Sequence, residues 1–176
     1  MSSRRPSIAA CLVLHDGSPS LGADVRALVR VADEVVVYDT GDHLRPGSAA
    51  FDATLHPAVT VVSGFWADDS ERAQHAALAH VGADWALCVL AGEKVTSDPE
   101  ELRRLLVEAT DVPAMSVRVD DVVRGTHRAA RLLHTALPGA SFESELAEVP
   151  SRLLSVCQPV ATTGLVPRQR GVFDVV

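Results

Sequence analysis

The sequence predicts an α/β domain built on an open, mostly parallel sheet with helices on both faces. Three observations carry this. Short apolar runs, among them Ile8 to Leu14, Glu34 to Tyr38 and Trp85 to Leu90, alternate with stretches of helical spacing. The first run, IAACLVL, is nearly continuous rather than alternating, as expected of a strand covered on both faces. Turn residues follow at the carboxyl ends: Asp16, Gly17, Ser18 and Pro19 after the first run, and Asp39, Thr40 and Gly41 after the second.

Taken in order, Ile8 to Leu14 is a first strand. Leu21 to Val31 then carries Leu21, Val25, Leu28 and Val29, with Ala32 just beyond, at the spacing of one helical face. Glu34 to Tyr38 is a second, β-branched strand. Residues 42–57 are turn-rich and weakly patterned. Val59 to Val62 reads as a third strand, Asp68 to Val81 as a helix with a small apolar face of Ala73, Ala76, Ala77 and Leu78, and Trp85 to Leu90 as a fourth strand. Asp98 and Pro99 open a helix to about Ala109, because aspartate caps free N–H groups and proline suits the first helical position. Met115 to Val119 and Ala129 to Leu133 read as further strands. The expected core is 7–149; the mixed segment 150–176, with Pro150, Pro159 and Pro167, is a tail without an assigned role. Crossovers in such a sheet are right-handed, and ligands bind outside the carboxyl ends of its strands. The turns after Leu14, Tyr38 and Leu90 are therefore expected on one edge.

Composition narrows the partners. The chain has 176 residues, 47% of them apolar, which fits one packed domain. A net charge of −7 without a long basic run argues against nucleic acid, whose phosphates demand a basic stripe. No apolar run approaches the roughly 20 residues of a membrane span. The brief run after Met1 to Pro6 reads as a strand and not as a signal peptide. Cys11, Cys88 and Cys157 lie far apart with no CxxC spacing, so small buried thiols in a reducing, cytoplasmic setting are expected.

Three turns could carry chemistry. At Asp39-Thr40-Gly41 a strand-end carboxylate could accept hydrogen bonds from a base or ribose beside a glycine that permits close approach; a simple Asp–Gly turn is the plainer alternative. In Trp66-Ala67-Asp68-Asp69 the carboxylates precede a helix, where capping is a plainer role than metal binding. At Leu90-Ala91-Gly92-Glu93-Lys94 only Glu93 offers a carboxylate, and an exposed turn charge is the plainer reading. The sequence has no GxGxxG after a strand, no Walker A lysine loop, no HExxH and no GxSxG, which removes the common dinucleotide, NTPase and α/β-hydrolase readings.

Together these fragments resemble bacterial family-2 glycosyltransferases, especially the group often fused to tetratricopeptide repeats. That family opens with a strand such as CMIVKNE, matched by Cys11 to Gly17. Its second strand, VDEIVVVDTGSTDGT, is matched by Ala32 to Gly41 (ADEVVVYDTG). Its W-N-D-D-F and GDWIL pieces are matched by Trp66 to Asp69 and by Asp84 to Leu87. Arg131 to His134 and Phe142 to Glu148 follow its R-L-F-R-N and F-E-G-x-I-H-E segments. The match runs from about Ile8 to Glu148. It implies the GT-A, Rossmann-like fold and a nucleotide-diphosphate-sugar donor. Asp39 matches the acidic residue on the nucleoside base, with Gly41 beside it, and Leu14 and Asp16 match positions lining the same pocket. Glu148 matches the glutamate of the late His-Glu pair, in the acceptor and catalytic region.

The departures fall on the catalytic set. The family's metal-binding DxD is Leu90, Ala91 and Gly92 here, followed by Glu93, so dependence on Mg²⁺ or Mn²⁺ is not expected. The family's Arg-Asn on the middle helix is Gln74-His75, and the histidine of the late pair is Ala147. Arg72 and Lys94 are the nearest cations that could face a diphosphate. The leading expectation is a glycosyltransferase-like protein that binds a nucleotide sugar with reduced or no metal-dependent transfer. One alternative is a metal-independent inverting transferase using Glu143, Glu145 or Glu148 as base. The other is a non-catalytic partner in a homo-oligomer or with another subunit.

Overall fold

The most completely buried strand lies inside the sheet, between two parallel neighbours. In the computed structural model, which describes residues 4–15, 18–66, 69–137 and 147–158, the central strand β1 (Ile8–Leu14) is buried along its whole length. It pairs in parallel with β2 (Glu34–Asp39) on one side and β4 (Trp85–Leu90) on the other. β3 (Val59–Ser63) pairs in parallel with β2 and forms one edge. The expected parallel arrangement holds for these four strands.

Beyond β4 the sheet is mixed, so it is mostly but not purely parallel: five of its eight strand pairings are parallel and three antiparallel. β7 (Gly125–His134) lies antiparallel to both β4 and β6 (Ala114–Asp121). The cause is local: the connection between β6 and β7 is a tight turn in which the Asp121 carboxylate accepts hydrogen bonds from the N–H groups of Val123 and Arg124, at 2.6 and 2.9 Å. Such a turn can join only antiparallel neighbours. Two short strands, β8 (Ala147–Glu148) and β9 (Leu154–Cys157), pair in parallel with β6, and β5 (Lys94–Ser97) closes the order antiparallel to β9. The full order is β3-β2-β1-β4-β7-β6-β9-β5. Although β5 is last in that order, its Lys94 pairs with Asp24 of α1 (Leu21–Val31), so the sheet curls back on itself.

Helices cover both faces. Leu12, Leu14, Val35 and Val37 pack with Leu21, Val25 and Leu28 of α1 and with Leu102 and Leu106 of α4 (Pro99–Glu108). On the other face Cys11, Val13 and Val36 meet Ala73 and Ala77 of α3 (Ser70–Leu78). The expected caps are present. The Asp98 carboxylate accepts from Glu101 N–H at 3.1 Å, and Asp69 accepts from the N–H groups of Glu71 and Arg72. A short helix, α2 (Ala49–Thr54), stands in the region read as irregular; its Ser48 hydroxyl accepts from Phe51 N–H at 3.1 Å. Leu153, Leu154 and Val156 are buried in the first core, so packing continues past residue 149.

Cys11 and Cys88 are register partners across β1 and β4, free and fully buried; the hydrogen bond with Cys88 and burial push the Cys11 thiol up. Cys157 departs from the expected burial, because as the last residue of β9 it points outward and is exposed. No described helix is long and apolar enough to cross a membrane.

Leu12 is 1% exposed at the centre of the sheet. Leu12→Ala is expected to cost about 2–5 kcal/mol through lost transfer energy and the cavity left behind, read as a lowered urea midpoint with unchanged slope.

Candidate functional site

The parallel register brings three strand ends to one rim: Leu14 stands beside Asp39, and Val13 beside Leu90. Backbone bonds stitch the turns that follow. Leu14 C=O accepts from the N–H and hydroxyl of Thr40, at 3.0 and 2.9 Å. Ala91 N–H donates to Val13 C=O at 2.9 Å, and Gly64 N–H to Asp39 C=O at 2.7 Å. Above them the rings of His15 and Trp66 stack with centroids 3.7 Å apart, joining the segments after β1 and β3.

Asp39 is only 6% exposed. Its Oδ1 accepts from Gly41 N–H at 3.1 Å and pairs with His43 Nδ1 at 2.8 Å, while Oδ2 accepts from Leu44 N–H at 3.2 Å. Burial works against the charged form. The hydrogen bonds from His43 and from the backbone of Gly41, His43 and Leu44 outweigh it and hold the carboxyl below its ordinary value. A carboxylate has about four lone-pair sites, and these four donors engage them. The turn depends on Gly41: a Cβ there would come within 2.3 Å of the His43 ring. Asp42 follows with φ of 53°, a left-handed conformation that short polar side chains tolerate. Sequence reading found Asp39 and Gly41 but missed His43, whose role depends on the turn folding back over the carboxylate.

The turn after β4 holds two ion pairs. Glu93 is 5% exposed, which overturns its reading as an exposed charge. It accepts from Leu90 N–H at 2.8 Å, from the Arg131 guanidinium at 3.0 Å and from the Gln158 amide at 3.2 Å. Arg131 also donates to Cys88 C=O, at 3.3 Å. Lys94 donates to the buried Asp24, whose other oxygen accepts from Gly92 N–H at 3.2 Å and from the Ser20 hydroxyl at 2.9 Å. Asp24 and Gln158 escaped the sequence reading, and Arg131 was matched there without a role, because each reaches the turn from a part of the chain far away in sequence.

Leu14, Asp39, Gly41, Glu93 and Lys94 thus stand on one rim. Arg72 is exposed on the first turn of α3, the helix that follows β3. Glu148 lies on β8, five steps from Asp39 along the strand order; its carboxylate is 68% exposed and 3.5 Å from Arg128. Asp16, Asp68, Glu143 and Glu145 lie outside the described residues. A divalent ion does not fit the turn after β4. Leu90, Ala91 and Gly92 supply no side-chain ligand, and both Glu93 oxygens are engaged by protein donors. Among the described residues no group of three or more His, Cys, Asp or Glu could hold a metal.

No protein-family model and no curated protein sequence matches the chain. The fold, however, is that of GT-A-type glycosyltransferases. The chain is similar to a mannosyltransferase from Pyrobaculum calidifontis, solved with GDP-Man and Mn²⁺, at a TM-score of 0.60 and 16% identity. That likeness covers 91% of this chain and 59% of the mannosyltransferase. It is also similar to a TarS fragment from S. aureus, at a TM-score of 0.54 and 12% identity over 73% of this chain and 47% of that one. HddC from Yersinia pseudotuberculosis matches at a TM-score of 0.52 and 10% identity, over 84% of this chain and 91% of its own. The chain therefore spans about half of the TarS fragment and less than two thirds of the mannosyltransferase.

The Asp39 hydrogen bonds make a pH prediction. The folded value lies below the unfolded one (about 3.9), so Asp39 contributes stability in full above that value. The contribution is lost as pH falls through the lowered folded value. In Asp39→Asn this part of the acid limb is expected to flatten in unfolding curves measured across that window. Gly41→Ala is expected to displace the His43 ring and raise the Asp39 value toward normal, read by carboxyl carbon NMR titration.

Proposed function

We propose that the chain is a glycosyltransferase-like protein that binds a nucleotide-diphosphate sugar on the rim after β1, β2 and β4, without a divalent ion and with little or no transfer. The observation that carries this reading is the state of the turn after β4. In a GT-A transferase a cation there offsets charge developing on the departing diphosphate, a contribution of several kcal/mol. In this reading two internally neutralised pairs of that turn, Glu93 with Arg131 and Asp24 with Lys94, stand where the cation would be. The fold shared with a mannosyltransferase solved with GDP-Man and with TarS, also solved with UDP, supports the choice of ligand class.

In this reading Asp39 accepts a base or ribose donor in exchange for one of the donors of its own turn. Leu14, fully buried with its C=O held by Thr40, supports the floor of the base pocket, which Gly41 lines together with Asp16. Glu93 contributes by holding Arg131 and the turn in place. Lys94, 46% exposed at its side chain, and Arg72 face the diphosphate. A second reading, metal-independent inverting transfer, is favoured by the exposure of the Glu148 carboxylate, which leaves it open to take an acceptor proton. Glu143 and Glu145 are the other bases under that reading.

Calorimetric titration with UDP, GDP and dTDP sugars tests the proposal. Binding of at least one donor is expected, with the same affinity in Mn²⁺ and in EDTA, and weakened about 10- to 100-fold by Asp39→Asn, the range for a hydrogen bond to a charged group. A strong Mn²⁺ dependence, or no binding of any donor, overturns it. Product formed in EDTA and lost in Glu148→Gln selects the second reading.

A further inference from the structure

The outer edge of β3 has no protein partner among the described strands, since β3 ends the sheet order. Its backbone directions follow from the bonds that bracket it. Ala58 C=O accepts from Val35 N–H, and Gly64 N–H donates to Asp39 C=O, so the even-numbered residues face β2. Strand alternation then turns the N–H and C=O of Val59, Val61 and Ser63 outward. Val59 N–H is taken by His56 C=O within the preceding turn, leaving Val61 with both groups directed away from the sheet.

Natural edge strands discourage pairing with charges, prolines or bulges. β3 carries none of these. From Pro57 to Ala67 no residue is charged, in a chain whose net charge is −7. Val61 on the strand is 43% exposed and Phe65, two residues past its end, is 76% exposed.

We propose that this edge pairs with the β3 edge of a second copy, antiparallel and centred on Val61, joining two sheets across a two-fold axis. The occupant is argued from self-complementarity. An antiparallel two-fold pairing places Val61 opposite Val61 of the copy as a doubly hydrogen-bonded pair, and Thr60 opposite Val62 on the α3 face. Val59 C=O then meets Ser63 N–H. The uncharged segment removes the repulsion that two acidic chains would otherwise feel at this surface. Phe65 comes level with the turn at 56–58 of the copy, so one arrangement covers Val61 and brings Phe65 against that turn. A closed two-fold contact also stops further growth along the edge.

The discriminating variant is Val61→Pro. Its lost N–H points outward, so the bonds to β2 remain, and proline is tolerated at such edge positions. Sedimentation equilibrium of the full chain across a dilution series is expected to give twice the 18.6 kDa chain mass for the wild type and the single mass for Val61→Pro and Val61→Lys, with unchanged circular dichroism. Val61 amide exchange in the wild type is expected to slow as concentration rises. A wild type that is monomeric throughout, a folded Val61→Pro that remains dimeric, or a Val61 amide that exchanges fast at every concentration overturns the proposal. Because mass and donor binding are read separately, failure here leaves the donor reading standing, and the reverse.

Discussion

The parallel pairing of β1 with β2 on one side and β4 on the other is the constraint on which the rest depends. A strand buried on both faces and paired on both edges has no freedom to slip, because a one-residue shift would turn its side chains to the opposite face. Leu12 and Leu14 face the α1 and α4 side while Cys11 and Val13 face α3, and neither layer could accept the other's set without voids or overlap. The lock fixes Leu14, Asp39 and Leu90 at one height. The turns that leave those ends then have little choice but to converge. Asp39 is buried not because a ligand requires it but because the Thr40 bonds to Leu14 draw the next turn over it.

That convergence explains why so much polar chemistry could be kept at a buried rim. Unpaired, Asp39, Asp24 and Glu93 would each meet a large desolvation penalty. Each is instead matched by donors: Asp39 by its own returning turn, Asp24 by Gly92 and Lys94, Glu93 by Arg131 and Gln158. The curl of the sheet, which returns β5 to α1, is what makes the Asp24 pair possible.

The parts of this arrangement that were legible in the sequence are those encoded locally. β1, β2 and β4 announce themselves as apolar runs, and Asp98 and Asp69 as caps, because burial and capping are written in neighbouring residues. β5, β8 and β9 were not legible. They are short, and β5 and β9 pair with strands far along the chain, so their existence depends on a curl that no local pattern records. The antiparallel entry of β7 was missed for a related reason: two strands can be read correctly while the direction of their pairing rests on the turn between them. At the site, Asp39 and Glu93 could be found from strand-end position. What surrounds them could not. His43 needs the Gly41 gap, and Arg131 arrives from β7 across a neighbouring strand.

This pairing bears directly on the chemistry proposed for the rim. A diphosphate is held most tightly by positive charge not already satisfied. Lys94 and Arg131 each carry an anionic partner within the protein, so their fields are largely cancelled at the distance of a bound phosphate. Freeing either would leave Asp24 or Glu93 buried without its counter-charge, a cost of several kcal/mol that the ligand would have to offset. Under the donor-binding reading, attraction must then come mainly from the Asp39 turn, from backbone N–H groups and from Arg72. Those groups contact a ground-state donor as well as a departing one. Interactions of equal strength in both states give affinity without acceleration, which is why retention of the nucleotide pocket and loss of transfer form a consistent pair.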